Sequence, residues 1–302
     1  MSRVGRAEAI AHLRSAIAGM TVDCRPVGAG APLRLPLAHA LDPALGGGLA
    51  GDGLHEIAPA TPGDGAAAMG FALAIGARFL GAAARRTSAL IITDDFCARE
   101  TGALYGPGLA ALGLAMQRLI FVRAPDAPAL LWAMEEALKS GAPAFVIGEM
   151  WGGARHYGLT ASRRLLLAAR AGRTPALIVH GGAFGGAESL SSAAETRFAV
   201  AYAPSARTES AGGRLPLPGA PVFAVRLLKA RLRPGSQAPP AVDAPPAVDA
   251  PPAVDAPPAN FDETRIIRLE WNSAERCFLD PTISLPVVRA IADGPGARFA
   301  AG

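Results

Sequence analysis

Apolar runs of five or six residues alternate with helical patterns along much of the chain, and this alternation constrains the fold more than any other feature. The apolar runs lie at 54–58, 88–93, 118–122, 143–148 and 175–180, and the helical patterns lie between them at 65–83, 98–113, 127–140 and 160–172. Strands that are apolar at nearly every position are typical of a parallel sheet with helices on both faces. We therefore predict an α/β fold with a doubly wound, mostly parallel sheet.

After residue 182 the pattern changes to consecutive strands. Segments at 196–204, 221–232 and 263–271 follow one another without intervening helices, and 276–279 is a candidate fourth strand. They predict an antiparallel extension of the sheet. The chain then divides into an N-terminal helix and linker at 1–34, a core at 35–234, a proline-rich linker at 235–260, and C-terminal strands with a tail at 261–302.

The proline-rich linker contains a tandem repeat of the sequence APPAVD, from about 238 to 258. Proline at this density is incompatible with a sheet, so we expect an extended segment, partly polyproline II, in a loop between two strands. Expansion of a tolerant loop is the favoured explanation. A docking peptide for a partner is the alternative.

Charge and cysteine content exclude several classes of protein. The net charge is +4 and the pI is about 9.3, a balance that permits nucleic-acid binding without requiring it. The three cysteines, Cys24, Cys97 and Cys277, fit neither a disulfide framework nor a zinc site, and no two histidines have metal-ligand spacing. We expect reduced, structural cysteines and no metal.

No segment of the sequence predicts a membrane or secretory protein. The apolar run at 66–77 ends at Arg78 after about 12 residues, short of the ~20 that span a bilayer, and so predicts a buried core helix. The N-terminal residues lack an apolar signal region. We expect a cytoplasmic protein with no membrane partner.

The loop after the first core strand lacks the residues that bind phosphate in the commonest α/β nucleotide-binding proteins. Those loops combine glycines with a Lys-Ser/Thr pair before a helix. Here Gly63 and Gly65 are present, but the positions of the pair hold glycine or alanine, and the only lysines of the chain are Lys139 and Lys229. We therefore expect no ATP cofactor and no hydrolysis.

Carboxylates follow two of the predicted strands. Asp94 and Asp95 end the strand at 88–93, and Glu149 follows Gly148 at the end of the strand at 143–148. Carboxylates at this edge of a sheet often orient water or a metal. Without a lysine or hydroxyl partner, a helix N-cap and a solvated turn are the favoured explanation for the aspartates, and Glu149 is either a remnant of a site or a rim residue.

The order of these blocks resembles the RecA recombinase core, and more closely the ImuA (inducible mutagenesis protein A) family, a degenerate RecA-like branch. The resemblance covers about 35–280. The blocks that carry it are LPLAHALDPALGGGLAGDGLHEI, ALIITDDFCARETGALYGPGLAALGL, RLIFVRAPDAPALLWAMEEALKSGAPAFVIGEM, TPALIVH, SLSSAAETRFAVAYAPS and FDETRIIRLEW. In that alignment Asp95 matches the acidic residue that activates water in RecA ATPases, and Gly148 replaces the Walker B aspartate.

The resemblance implies a role in SOS-induced, error-prone translesion DNA synthesis. Proteins of this family look like non-catalytic accessory scaffolds that work beside an inactive Y-family polymerase homologue and an error-prone replicative-type polymerase. RecA and single-stranded DNA are further candidate partners, and the resemblance implies a cytoplasmic protein that is nucleoid-associated when DNA is damaged.

Three hypotheses about the working surface follow. A scaffold would use apolar residues of the N-terminal helix and the C-terminal part, namely Ile10, Leu13, Ile17, Trp271, Phe278, Val287 and Val288. A DNA-binding module would use the basic strand residues Arg226, Lys229, Arg231 and Arg233, with Arg265 and Arg268 on the next strand. A cryptic ATPase, the least favoured, would use Asp95 and Glu149.

Overall fold

The computed structural model describes residues 33–83, 85–151, 156–181, 191–205, 207–208, 217–231, 262 and 264–279. In chain order the elements are β1 (Arg34–Leu35), β2 (Leu49–Ala50), β3 (Leu54–Pro59), α1 (Gly65–Ala82), β4 (Ala89–Asp94), α2 (Asp95–Glu100), α3 (Gly106–Ala111), β5 (Leu119–Ala124), α4 (Ala127–Ser140), β6 (Val146–Trp151), α5 (Leu159–Gly172), β7 (Ala176–Gly181), β8 (Thr196–Ala203), β9 (Arg207–Thr208), β10 (Leu217–Pro218), β11 (Val222–Ala230), β12 (Ile266–Asn272) and β13 (Cys277–Leu279). Two 3-10 turns, Pro62–Asp64 and Met116–Arg118, precede α1 and β5.

One nine-stranded sheet organises these elements, in the order β13-β12-β11-β8-β3-β7-β6-β4-β5. The six strands from β8 to β5 are parallel to their neighbours. The three C-terminal strands β11, β12 and β13 extend the β8 edge with antiparallel pairings. The α/β class, the mostly parallel sheet and the antiparallel C-terminal strands are thus confirmed.

Helix α1 covers one face of the sheet. It is apolar on almost every side because the large sheet and the separate antiparallel pair β1–β2 pack around it, and its residues Phe71, Ile75 and Phe79 are at most 1% exposed. Pro62–Ala82 is long and apolar enough to cross a membrane, but 61% of its most apolar window is buried inside the protein. The prediction of a core helix here is confirmed.

Helices α4 and α5 pack side by side on the opposite face, over a second apolar cluster that includes Leu130, Met134 and Leu165. The two helices approach closely at their C-terminal ends. A side chain at Gly172 would overlap the Leu138 carbonyl, so only glycine fits there. This contact fixes the groove between the two helices that is described below.

Two predicted partner contacts, Trp271 and Phe278, are wrong because both side chains are part of the core. Trp271 is 1% exposed and Phe278 is 6% exposed. Their rings lie 4.9 Å apart, and Phe278 also contacts Phe71 of α1. The antiparallel strands therefore place these aromatic residues against α1 and not toward solvent. Ile10, Leu13, Ile17, Val287 and Val288 lie outside the described residues.

Candidate functional site

The loop between β3 and α1 follows the first long strand of the sheet, as a phosphate-binding loop would, and a buried aspartate bonds within the loop and to β8. Asp64, 3% exposed, is the N-cap residue of α1. Its Oδ2 accepts hydrogen bonds from the Thr61 hydroxyl at 2.6 Å and the Thr61 amide at 3.0 Å, and its Oδ1 accepts one from the Tyr202 amide of β8 at 3.1 Å. A buried carboxylate thus lies where the helix dipole favours negative charge.

Space is open around the two glycines of this loop, and both lysines of the chain bond to other groups. A Cβ atom at Gly63 or Gly65 would meet nothing within 4 Å, so no packing constraint requires glycine there. Lys139 Nζ lies 2.7 Å from the Glu135 carboxylate on α4, and Lys229 Nζ donates to the Ser192 carbonyl at 2.7 Å. Both ammonium groups are engaged elsewhere in the protein.

Asp94 and Asp95, at the end of β4, are both held by protein groups. Asp94, 3% exposed, caps α2 by accepting from the Cys97 amide at 2.6 Å, and it accepts from the Trp151 amide of β6 at 3.2 Å. Asp95 Oδ1 accepts from Arg123 Nε on the edge strand β5 at 2.5 Å. The predicted N-cap is confirmed for Asp94, whereas Asp95 forms an ion pair at the edge of the sheet.

The carboxylate of β6 belongs to Glu149, whereas Gly148 stands at the position of the Walker B aspartate in the alignment above. Gly148 faces α4, where a side chain would overlap the Met134 sulfur. Glu149 points to the other face and is 5% exposed. Burial, and to a smaller extent the Asp94 carboxylate, raise the pKa of Glu149 to about 7. Burial likewise raises the pKa of the neighbouring Cys97 thiol, with smaller contributions from Glu149 and Asp94, so this sulfur stays protonated.

The raised pKa of Glu149 predicts a pH-dependent stability. The unfolded carboxyl titrates near 4.5 and the folded one near 7, so between these values the folded state retains a proton that the unfolded state has lost. Stability contributed by the protonated form is present below pH 4.5 and is lost as the pH rises through 7. The shift corresponds to about 3 kcal/mol. Glu149→Gln should therefore raise the free energy of unfolding at pH 8 relative to the wild-type protein, as measured by urea denaturation.

Glu136→Gln, on the exposed face of α4, is the matched control and should leave the pH dependence unchanged. If Glu149→Gln and the wild-type protein lose stability equally between pH 5 and pH 8, the carboxyl of Glu149 is not the group that titrates.

Some residues of the predicted basic strand are exposed, and others bond to groups of the protein. Arg226 is half-buried, Arg231 is exposed, and Lys229 bonds to Ser192 as described; Arg233 lies outside the described residues. On β12 Arg268 is exposed and donates to the Pro204 carbonyl at 3.0 Å. The register pairs Ala224 with Arg268 and Arg226 with Ile266, so both arginines lie on one face of the sheet, the face opposite α1.

A buried ionic network that the sequence reading missed crosses three strands of the same face. Glu56 of β3 is 0% exposed and accepts from Arg197 Nε of β8 at 2.6 Å and from the Tyr157 hydroxyl at 2.5 Å. Arg197 Nη2 also donates to the Ser192 hydroxyl at 2.9 Å. The Tyr157 ring makes an edge contact with His180 of β7. The sequence signal was the polar pair His55 and Glu56 near the start of a core strand.

The charges of this network are balanced by one cation. Burial lowers the pKa of His180 to about 4, so its ring is neutral at pH 7. Burial raises the pKa of Glu56, but its polar and charged neighbours outweigh burial, and the pKa is lowered overall. With His180 neutral, Arg197 is the cation that keeps Glu56 ionised. Removing either member of the Glu56–Arg197 pair would leave a buried charge without its partner, which is strongly destabilising.

Comparison with known proteins gives similarity of fold only. No protein-family model matches the sequence, and no curated protein matches it. The chain is similar to the crystal structure of the RadB recombinase, with 16% identity and a TM-score of 0.44 over 81% of this chain and 98% of that chain. It is also similar to SulA from Pseudomonas aeruginosa, with 19% identity and a TM-score of 0.33 over 43% of this chain and 98% of that chain. Values this low identify neither a family nor a function.

Proposed function

We propose that the chain is a non-catalytic accessory factor in SOS-induced translesion DNA synthesis, a scaffold built on a RecA-like sheet. The observation that carries the non-catalytic part is Asp64 at the N-terminus of α1, whose buried carboxylate bonds to Thr61 of the same loop and ties the loop to β8. The sequence blocks that resemble the ImuA family support the cellular role, and they support a cytoplasmic location with nucleoid association when DNA is damaged.

The contacts around the loop support the absence of nucleotide hydrolysis. A phosphate at the N-terminus of α1 would lie beside the Asp64 carboxylate, and like charges at short distance repel strongly in a buried setting. No lysine ammonium among the described residues faces the loop to offset that repulsion. The carboxylate that would activate water, Asp95, is paired with Arg123. These contacts argue against phosphate binding at this loop and against activation of water by Asp95.

The purified protein is expected to bind no ATP and to show no turnover, with or without magnesium and single-stranded DNA, beside an active RecA-type ATPase as the positive control. Equilibrium dialysis and phosphate release are the measurements. Turnover that disappears in Asp95→Asn would overturn the proposal, because it would assign this carboxylate to catalysis. Arg99→Ala, an exposed arginine of α2, controls for a general surface change.

The scaffold role is tested by partner binding. The full chain should co-purify with an inactive Y-family polymerase homologue, an error-prone replicative-type polymerase, or RecA when each is supplied as a purified protein. The Trp271 and Phe278 side chains should not contribute directly, since both are buried. A correctly folded chain that binds none of these proteins would refute the scaffold role while leaving the nucleotide result intact.

DNA binding is the second candidate function, favoured by the arginines on β11 and β12. Arg226 and Arg268 lie on one face, and the exposed Arg265 and Arg231 flank them. Arg226→Ala combined with Arg268→Ala should weaken binding to single-stranded DNA and reduce the slope of log K against log salt by about 1.4, since each phosphate contact contributes about 0.7. Fluorescence anisotropy at several salt concentrations measures both.

The matched control replaces two other exposed arginines, Arg99 and Arg163, by alanine. It removes the same charge from other surfaces, so equal effects of the two double variants would attribute any DNA binding to net charge and not to this face.

A further inference from the structure

A groove between α4 and α5 has no occupant among the described residues. It encloses about 260 Å³. Its apolar wall consists of Pro128, Leu131, Trp132 and Leu165, and its polar rim includes His156 and Arg164. An apolar slot that contains a tryptophan and a proline, with a cation at its rim, is the kind of surface that binds extended proline-rich segments.

Trp132 offers a hydrogen-bond donor to such a segment. Its indole N–H has no acceptor among the described residues, and its ring is only partly buried. A polyproline II segment makes no internal hydrogen bonds, so its carbonyl groups remain available as acceptors. The ring therefore provides both apolar contact and a directed polar contact.

Arg164 provides an exposed guanidinium at the rim of the groove. Glu135, which also lines the groove, is paired with Lys139 at 2.7 Å and with Arg164 Nη2 at 2.5 Å, and Lys139 also lies 3.2 Å from the Glu136 carboxylate. The two cations and the two carboxylates balance in net charge. The Arg164 side chain is 63% exposed, which leaves its remaining N–H groups accessible from the groove.

We propose that this groove binds the APPAVD repeat of the same chain, residues 238–258, as a polyproline II helix. The segment from 234 to 264 contains five acidic residues, at 243, 249, 255, 262 and 263, and no lysine or arginine. Its carboxylates are therefore suited to pair with the exposed guanidinium of Arg164 at the rim.

The period of the repeat matches the geometry of this helix. Polyproline II has three residues per turn, so a six-residue repeat makes two whole turns and rises about 19 Å. Pro239 and Val242 then lie in one apolar column, and Pro240 and Asp243 lie in the next column. Each copy presents the same apolar ridge to the Trp132 wall and the same acidic edge to Arg164.

The tether is long enough for binding within one chain. The Arg231 amide donates to the Glu195 carbonyl at 2.8 Å, and the Glu195 carboxylate accepts from Arg170 of α5 at 3.1 Å. Arg164 lies six residues earlier on the same helix, about 9 Å along its axis. Thirty-four residues, 232–265, join Arg231 to Ile266 and can span about 110 Å when extended, enough to reach the groove and return.

The test compares the full chain with a variant in which 238–258 is replaced by a Gly/Ser sequence of equal length. A synthetic peptide of residues 238–255 is titrated into each protein, and binding is followed by calorimetry and by the NMR signal of the Trp132 indole. The variant should bind the peptide. For a peptide Kd on the order of 0.1 mM, the full chain should bind it about tenfold more weakly, because its own repeat competes at an effective concentration on the order of 1 mM.

Three substitutions in the Gly/Ser variant locate the binding site. Trp132→Ala should abolish peptide binding, and Trp132→Phe, which keeps a smaller aromatic ring, should weaken it by loss of the N–H donor and of part of the apolar contact. Arg164→Gln should weaken binding and reduce its salt dependence. Tyr105→Ala, which removes a 73% exposed aromatic residue from α3's N-terminus, should have no effect.

Two results would overturn the proposal. Equal peptide affinity in the full chain and the Gly/Ser variant would show that the repeat does not occupy the groove. A concentration-dependent dimer in sedimentation that the Gly/Ser replacement dissociates would assign the repeat to the groove of a second copy and not to its own.

Discussion

Replacing Arg197 by methionine is expected to lower the free energy of unfolding at pH 7 by about 3–5 kcal/mol, the effect of breaking a buried ion pair. The Arg197 and Glu56 side chains are 4% and 0% exposed. Methionine fills much of the same volume but leaves the Glu56 carboxylate without its cation in an environment that solvates charge poorly. Urea denaturation followed by circular dichroism measures the change.

An exposed ion pair provides the matched control. Arg123→Met removes the cation that pairs with Asp95. The Arg123 side chain is 61% exposed, so the substitution should change the free energy of unfolding by less than about 1 kcal/mol. Glu56→Gln together with Arg197→Met should be more stable than Arg197→Met alone, because no charge is then buried without a partner. If Arg197→Met and Arg123→Met have equal effects, the buried network does not stabilise the sheet as described.

Trp271→Ala is expected to destabilise the protein by a similar amount, about 3–5 kcal/mol, because truncating a buried aromatic residue loses its transfer free energy and leaves a cavity. Trp271 contacts Phe278, and its indole Nε1 donates to the Leu112 carbonyl at 3.2 Å. The substitution therefore also leaves a carbonyl acceptor without its donor. Urea denaturation is again the measurement.

The control is Ile266→Ala on the same strand. The Ile266 side chain is 66% exposed, so this substitution should change the free energy of unfolding by less than about 0.5 kcal/mol. A Trp271→Ala protein with unchanged unfolding but weaker binding to a polymerase partner would contradict the buried placement and restore this residue to an interaction surface.

The sequence predicted the parallel core well because its physical signal is local. Strands buried on both faces are apolar throughout, and such runs are recognisable without knowing their neighbours. Strand limits were less accurate. The strand predicted at 143–148 is Val146–Trp151, because pairing with β7 continues past Gly148 through Glu149, Met150 and Trp151.

The candidate site was harder to predict because its contacts join distant parts of the chain. Arg197 and Glu56 are 141 residues apart, and the hydrogen bond from Tyr202 to Asp64 spans 138. The role of Trp271 was recoverable, since Leu269 and Trp271 alternate with the polar residues Arg268 and Glu270 and so belong on the buried face. Alternation was a better guide to burial here than residue type.

The position of β3 at the centre of the sheet has a consequence for how the protein is made. Among the described residues, β3 is the first long strand to leave the ribosome, but both of its neighbours, β7 and β8, come more than 110 residues later. At about 5–20 residues per second, synthesis from Pro59 to Ala203 takes on the order of 10–30 seconds. During that interval both edges of an apolar strand lack their native partners. Nascent chains of this protein are therefore candidates for chaperone binding until β8 has emerged.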